Sequence, residues 1–166
     1  MRIALIGYGK MGKMIEEIAD DRGHDIVLKI HTENIEEFTK ENLSKVDVAI
    51  EFTSPHSAPQ NVMKCLEWNI PIVCGSTGWN DKLEEAKQFC QAKGGSFLHA
   101  SNLSIGVNIF FQVNQALAKM MASQESYNVQ LKEIHHTQKL DAPSGTAVTL
   151  AEQILSQITS KKKLGE

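Results

Sequence analysis

Within fourteen residues, running from Glu133 through His135, His136, Lys139, Pro143, Ser144 and Gly145 to Thr146, the chain sets two imidazoles and an amine just ahead of a helix start. Histidine exchanges protons near neutral pH, and a lysine either donates a proton or pairs with a carboxylate. Backbone N–H groups at the start of a helix hold a carboxylate or phosphate. The segment thus has the parts for proton transfer at one end and anion binding at the other. His135 and His136 are adjacent, so on an extended segment they face opposite sides and take separate roles. They lack the i, i+4 spacing of a helical zinc pair and have no third ligand nearby beyond Asp141, so no metal is expected.

A second constellation opens the chain. Gly7-Tyr-Gly-Lys-Met-Gly12 follows a short apolar run and leads into a helical pattern. Glycines at this spacing let the chain turn tightly, let backbone approach a pyrophosphate and let the helix pack on the strand. In this setting dinucleotide binding is preferred over a plain glycine turn, and a valine at position 12 is expected to exclude the pyrophosphate. An acidic residue usually follows about 20 residues on, for the ribose hydroxyls. Here the segment is His31-Thr32-Glu33. Either Glu33 reaches the ribose, or Lys29, His31 and Lys40 receive a 2′-phosphate, or the strand end is merely solvated.

The elements that must position these groups follow from periodicity. Ile3 to Ile6, Ile26 to Ile30, Val46 to Phe52, Pro71 to Cys74 and Ser96 to Ala100 are short strand candidates. Helical patterns separate them: one from Met11 to Ala19, stopped by Arg22-Gly23-His24, one at 57–68, and one at 81–92 with Asn80 and Asp81 as cap candidates. Alternation of this kind predicts an α/β fold, a Rossmann-type doubly wound parallel sheet. Glu51-Phe-Thr-Ser-Pro55 and Gly75-Ser-Thr-Gly78 then fall at carboxyl ends of strands, where open α/β sheets bind ligands. After Ser101 the rhythm changes. A helix is predicted over 107–121, then a half-buried strand through Tyr127, Val129 and Leu131, then a helix over 144–158. The expected division is 1–102, a dinucleotide-binding domain, and 103–166, part of an α+β substrate domain.

The chain has 166 residues and a formal charge of −3, with a pI near 6.1. That balance gives no basic field for nucleic acid. No apolar run approaches the roughly 18 residues of a membrane span, and the first residues enter a strand directly, so neither a membrane anchor nor an export signal is expected. Cys65, Cys74 and Cys90 are odd in number and show no C-x-x-C spacing, which points to reducing cytosol.

The segment 133–147, Glu-Ile-His-His-Thr-Gln-Lys-Leu-Asp-Ala-Pro-Ser-Gly-Thr-Ala, closely resembles the signature of the 4-hydroxy-tetrahydrodipicolinate (dihydrodipicolinate) reductases of bacterial lysine and diaminopimelate synthesis. The glycine turn, Glu51-Phe-Thr-Ser, Gly75-Ser-Thr-Gly78 and Ser101-Asn-Leu-Ser-Ile-Gly-Val-Asn108 agree in order, so the resemblance covers essentially the whole chain. It implies hydride transfer from NADPH or NADH to a small cyclic dicarboxylate, with His135 and Lys139 as catalytic residues. It further implies substrate binding by His136, Gly145 and Thr146. The implied cofactor residues are Gly7, Gly9, Lys10, Met11, Gly12, His31, Phe52, Thr53, Gly75, Thr77, Ser101 and Asn102. Leu103 stands where an aromatic residue is expected, and His31 where an acid is common, which opens the cofactor preference. Members of the family are homotetramers and continue past position 166, so a C-terminal truncation that removes the assembly region is expected. Two rivals stand beside this reading. One is a catalytically silent dinucleotide-binding fragment. The other is a sugar-oxidoreductase-type dehydrogenase, which would lack the segment from Lys139 to Thr146.

Overall fold

Strand β1, Arg2–Ile6, shows why the first hundred residues form a layered sheet. Its residues Ile3, Ala4, Leu5 and Ile6 are all buried. Ala4 and Ile6 join one apolar cluster, while Ile3 and Leu5 join another on the opposite face. A strand buried on both sides must be central, and each large aliphatic side chain so placed contributes about 1.5–3 kcal/mol. β2 (Asp25–Ile30), β3 (Val48–Glu51), β4 (Ile72–Cys74) and β5 (Phe97–His99) complete a five-stranded sheet in the order β2-β1-β3-β4-β5. All four pairings are parallel. The chain leaves β1 toward β2 and then returns to build outward from its other side, so strand order reverses at β1 and β3.

The computed structural model describes residues 1–135, 137 and 142–158. It comprises two compact units, residues 1–100 and 101–166. In the first, helices α1 (Lys10–Asp21), α2 (Lys40–Leu43), α3 (Ala58–Glu67) and α4 (Asn80–Lys93) connect the strands. α1 supplies Ala19 and Ile15 to the smaller cluster. α3 and α4 supply Val62, Cys65, Leu66 and Ala86 to the larger one. α4 ends on Gly94 at φ +62°, a left-handed C-cap suited to glycine. Its start differs from the expectation. The N-cap is Trp79, without a side-chain cap bond, and Asn80 is already helical. Burial of Trp79 to 2% exposure and its Nε1–H bond to the Ser76 carbonyl fix that corner. The 3-10 turn Thr32–Glu37 and the short α2 had no counterpart in the periodicity reading.

In the second unit α5 (Ile105–Met121) packs on α6 (Gly145–Gln157). Phe111, Ala118, Ala147, Leu150 and Ala151 form the buried contact. Asn114 Nδ2 donates to the Leu150 carbonyl at 3.1 Å and to Gln153 Oε1 at 3.0 Å. The strand expected through Tyr127, Val129 and Leu131 is not formed. Those residues have no regular structure and are exposed. An alternating pattern makes a strand only when another strand pairs with it, and among the described residues none lies in this unit.

Candidate active site

The three glycines after β1 serve two different ends. Gly7 has φ +98°, and a Cβ there would lie 2.0 Å from the Phe52 carbonyl oxygen. Gly12 is buried in α1, and its Cβ would lie 2.4 Å from the Gly7 carbonyl oxygen. Both are therefore required by the protein's own backbone. A side chain at position 12 would therefore meet the carbonyl of the turn first, whatever ligand the turn holds. Gly9 differs. Its φ is −88°, a Cβ would meet nothing within 4 Å, and it is the N-cap of α1 without a side-chain cap bond. Nothing in the fold excludes a side chain at Gly9, and the uncapped helix start beside exposed Lys10 and Met11 has amide donors directed outward. The turn fits a pyrophosphate.

At the end of β2, His31 caps the 3-10 turn. Its Nδ1 accepts from the Glu33 amide at 3.3 Å, and its own N–H donates to Asn34 Oδ1 at 2.8 Å. Lys29 is engaged elsewhere, paired with Glu16, which also accepts from the Tyr8 hydroxyl. The Lys29 ammonium holds the Glu16 carboxyl below its usual range, and Glu16 in turn raises the lysine. After β3 and β4, Phe52 and Gly75 are packed together. A Cβ on Gly75 would fall 2.1 Å from the Phe52 ring, so the glycine is small to admit the ring. Thr53 is exposed and Thr77 half-buried at this edge.

In the second unit, Glu133 accepts at both oxygens. Oε1 takes the Ser144 amide at 2.9 Å, and Oε2 lies 2.7 Å from His135 Nε2. The Ser144 hydroxyl and amide, then His135, hold the Glu133 carboxyl down to about 2. A carboxylate at that position makes Nε2 the protonated ring nitrogen and leaves Nδ1 for other partners. Ser144 is the N-cap of α6, its Oγ accepting from the Ala147 amide at 3.1 Å. Pro143 therefore precedes the helix by two positions. Gly145 and Thr146 form its first turn, and Asn102 Nδ2 donates to Thr146 Oγ1 at 3.4 Å. Ser101 Oγ lies 3.1 Å from Thr149 Oγ1. His135, Gly145, Thr146, Ser101 and Asn102 thus belong to one unit with Glu133, whose linking role the sequence reading missed. A glutamate two positions before a histidine, on the same side of an extended segment, was the available signal. His136 and Lys139 lie outside the described residues.

The parallel order, the reversal at β1 and the glycine turn define the class, a dinucleotide-binding fold of Rossmann type. In fold alone, the chain is similar to a WlbA dehydrogenase from Chromobactrium violaceum solved with NADH, at TM-score 0.51 and 12% identity over 75% of this chain and 40% of that one. It is similar throughout to a dipicolinate-bound dihydrodipicolinate reductase from Paenisporosarcina sp. TG-14, at TM-score 0.75 and 26% identity, covering 99% of this chain and 69% of that one.

The family models for the dihydrodipicolinate reductase N-terminus and C-terminus match residues 1–103 and 106–166. A 4-hydroxy-tetrahydrodipicolinate reductase from Christiangramia forsetii is 49% identical over 98% of this chain and 67% of its own length. One from Neisseria gonorrhoeae is 37% identical over 68% of this chain and 40% of its own. The chain belongs to the dihydrodipicolinate reductase family. It spans about two thirds of the Christiangramia relative. Among the described residues no helix is long and apolar enough to cross a membrane.

Proposed function

We propose that the chain carries the activity for which its relatives are named. It reduces 4-hydroxy-tetrahydrodipicolinate to tetrahydrodipicolinate with NADPH or NADH, in the cytosol, for lysine and diaminopimelate synthesis. The observation that carries this reading is the double use of Glu133, which ties the His135 ring to the first turn of α6. A proton-carrying group and the helix start that receives an anion are thereby held by one carboxylate.

When bound, the reduced nicotinamide supplies a hydride to the substrate ring. The protein's residues do the rest. Gly7, Gly9 and Gly12 shape the turn, and the start of α1 with Lys10 and Met11 holds the pyrophosphate. His31, Phe52, Thr53, Gly75, Thr77, Ser101 and Asn102 complete the dinucleotide site. His136, Gly145 and Thr146 hold a substrate carboxylate. His135 and Lys139 manage the proton, His135 with Nε2 bonded to Glu133. The ring dicarboxylate bound by the Paenisporosarcina relative is of the same chemical class as this substrate.

The test is a coupled assay on the 166-residue chain, with an upstream synthase generating substrate and oxidation of NADPH and NADH followed separately. Substrate-dependent oxidation supports the reading and gives the cofactor preference. Cofactor binding without oxidation would favour the silent dinucleotide-binding alternative.

A further inference from the structure

β3 ends on a carboxylate that the reduction does not use. Glu51 is 0% exposed, at the carboxyl end of a strand whose other side chains are aliphatic. Its partners are neutral donors. The Thr53 amide donates to Oε1 at 3.0 Å and the Thr53 hydroxyl donates to the same oxygen. Asn61 Nδ2 is 3.5 Å from Oε1, and Cys74 Sγ is 2.9 Å from Oε2. Burial and the bond to Glu51 raise the Cys74 thiol, which keeps its S–H as a donor. A buried carboxylate is costly unless donors surround it, so this one is retained in a site built to receive it.

The network extends across the sheet edge. The Thr53 amide also donates to Ser76 Oγ at 2.8 Å. The Ser76 carbonyl accepts from Trp79 Nε1 at 2.8 Å and from His99 Nε2 at 3.1 Å. A carbonyl only accepts, so His99 carries its proton on Nε2. One chain of bonds therefore links the ends of β3, β4 and β5. In a doubly wound sheet the dinucleotide lies across carboxyl ends, with its pyrophosphate at the first glycine turn and its adenosine ribose at the end of the second strand. The remaining half must then run over β3 to β5.

We infer that Glu51 is a positioning residue for the nicotinamide half of the cofactor: its buried carboxylate gathers Thr53, Asn61 and Cys74 and so fixes the loops after β3 and β4 in one register. The inference rests on the dinucleotide reading above. It predicts an effect confined to one end of the ligand. Glu51→Gln keeps the shape but turns one acceptor into a donor, which either meets the Thr53 amide donor to donor or exchanges the Cys74 S–H bond for a contact to a weakly accepting sulfur.

The experiment titrates the full chain with whichever of NADPH or NADH binds more tightly. The comparison ligand is its nicotinamide-free counterpart, 2′-phospho-ADP-ribose or ADP-ribose. Glu51→Gln should weaken the whole cofactor about tenfold and the counterpart less than about twofold. Equal losses on both ligands, or none on either, overturn the inference. If Glu51→Gln does not fold, Cys74→Ser and Cys74→Val decide: serine keeps a donor and the affinity ratio, whereas valine shifts it, and identical ratios overturn the inference. A wild type that binds neither ligand overturns the dinucleotide reading itself. Hydrogen exchange at the Thr53 amide then tests Glu51 alone, faster exchange in Glu51→Gln supporting the clamp and unchanged exchange refuting it.

Discussion

The Cβ position of Gly12 lies 2.4 Å from the carbonyl oxygen of Gly7, whereas that of Gly9 meets nothing within 4 Å. Two glycines of one motif therefore respond oppositely to a methyl group. Gly12→Ala should cost about 3 kcal/mol, the upper range of overpacking, because the obstructing atom is backbone. Gly9→Ala should cost under about 1 kcal/mol, the loss expected of alanine at an N-cap, yet weaken NADPH or NADH at least about tenfold by filling the pyrophosphate cradle. Denaturant melts and cofactor titrations on both variants separate the effects. Normal cofactor binding by Gly9→Ala would remove the ligand from this turn.

Glu133 gives a pH signature. Its folded-state value of about 2 lies below the ordinary 4.5. A group depressed in this way stabilises the folded form fully above about 4.5 and loses that contribution as pH falls toward 2. The Ser144 amide resonance should move with a midpoint near 2 as its acceptor is protonated, and the shift should vanish in Glu133→Gln. The same variant should lower turnover at neutral pH by at least about tenfold, because the side-chain amide keeps one uncharged acceptor for two donors, the Ser144 amide and His135 Nε2. An amide midpoint near 4.5 would mean that Glu133 is not bonded to α6 in solution.

Much of the first unit was legible because its cues are local. The five strands are short apolar runs, and a parallel sheet buried on both faces needs little else. The glycine motif was legible as a motif, though only the geometry separates Gly9 from Gly12. What escaped depends on residues distant in the chain. Glu133 reaches Ser144 eleven positions later, and the Thr53 amide reaches the Ser76 hydroxyl from the neighbouring strand end. Glu51 did carry a signal, a lone acid ending a buried strand, but its partners Asn61 and Cys74 become visible only when the sheet is assembled. The pattern at Tyr127, Val129 and Leu131 misled because alternation specifies a face and not a pairing partner.

Lys139 lies outside the described residues, so its role rests on chemistry and family resemblance. Lys139→Ala should cut turnover about 10²-fold or more, as for a lost general acid, with cofactor affinity nearly unchanged. Steady-state assays beside a binding titration check this. A large loss of cofactor affinity would relocate the lysine to the dinucleotide site.

Asn102 tests how roles divide in the second unit. The family resemblance assigns it to the cofactor, whereas its amide bonds the Thr146 hydroxyl at 3.4 Å. If that bond serves substrate binding, Asn102→Ala should raise the substrate KM by a factor of about five, the equivalent of one hydrogen bond. Cofactor affinity should then hold. The reverse pattern, with cofactor weakened and KM unchanged, would return Asn102 to the dinucleotide site.

Gly75 and Phe52 form a steric pair whose coupling can be measured. A Cβ at Gly75 would fall 2.1 Å from the Phe52 ring, a distance at which one of the two must move. Gly75→Ala alone should destabilise by about 2 kcal/mol, within the range for an added methyl in a packed site. Leucine at 52 vacates the ring volume, so Gly75→Ala made on Phe52→Leu should cost much less. The double-mutant cycle should then show a coupling of about 0.5–3 kcal/mol. No stability loss in Gly75→Ala would mean that Gly75 is glycine for the cofactor's approach and not for the ring. In that case the loss should appear in NADPH or NADH affinity while the melting curve stays in place.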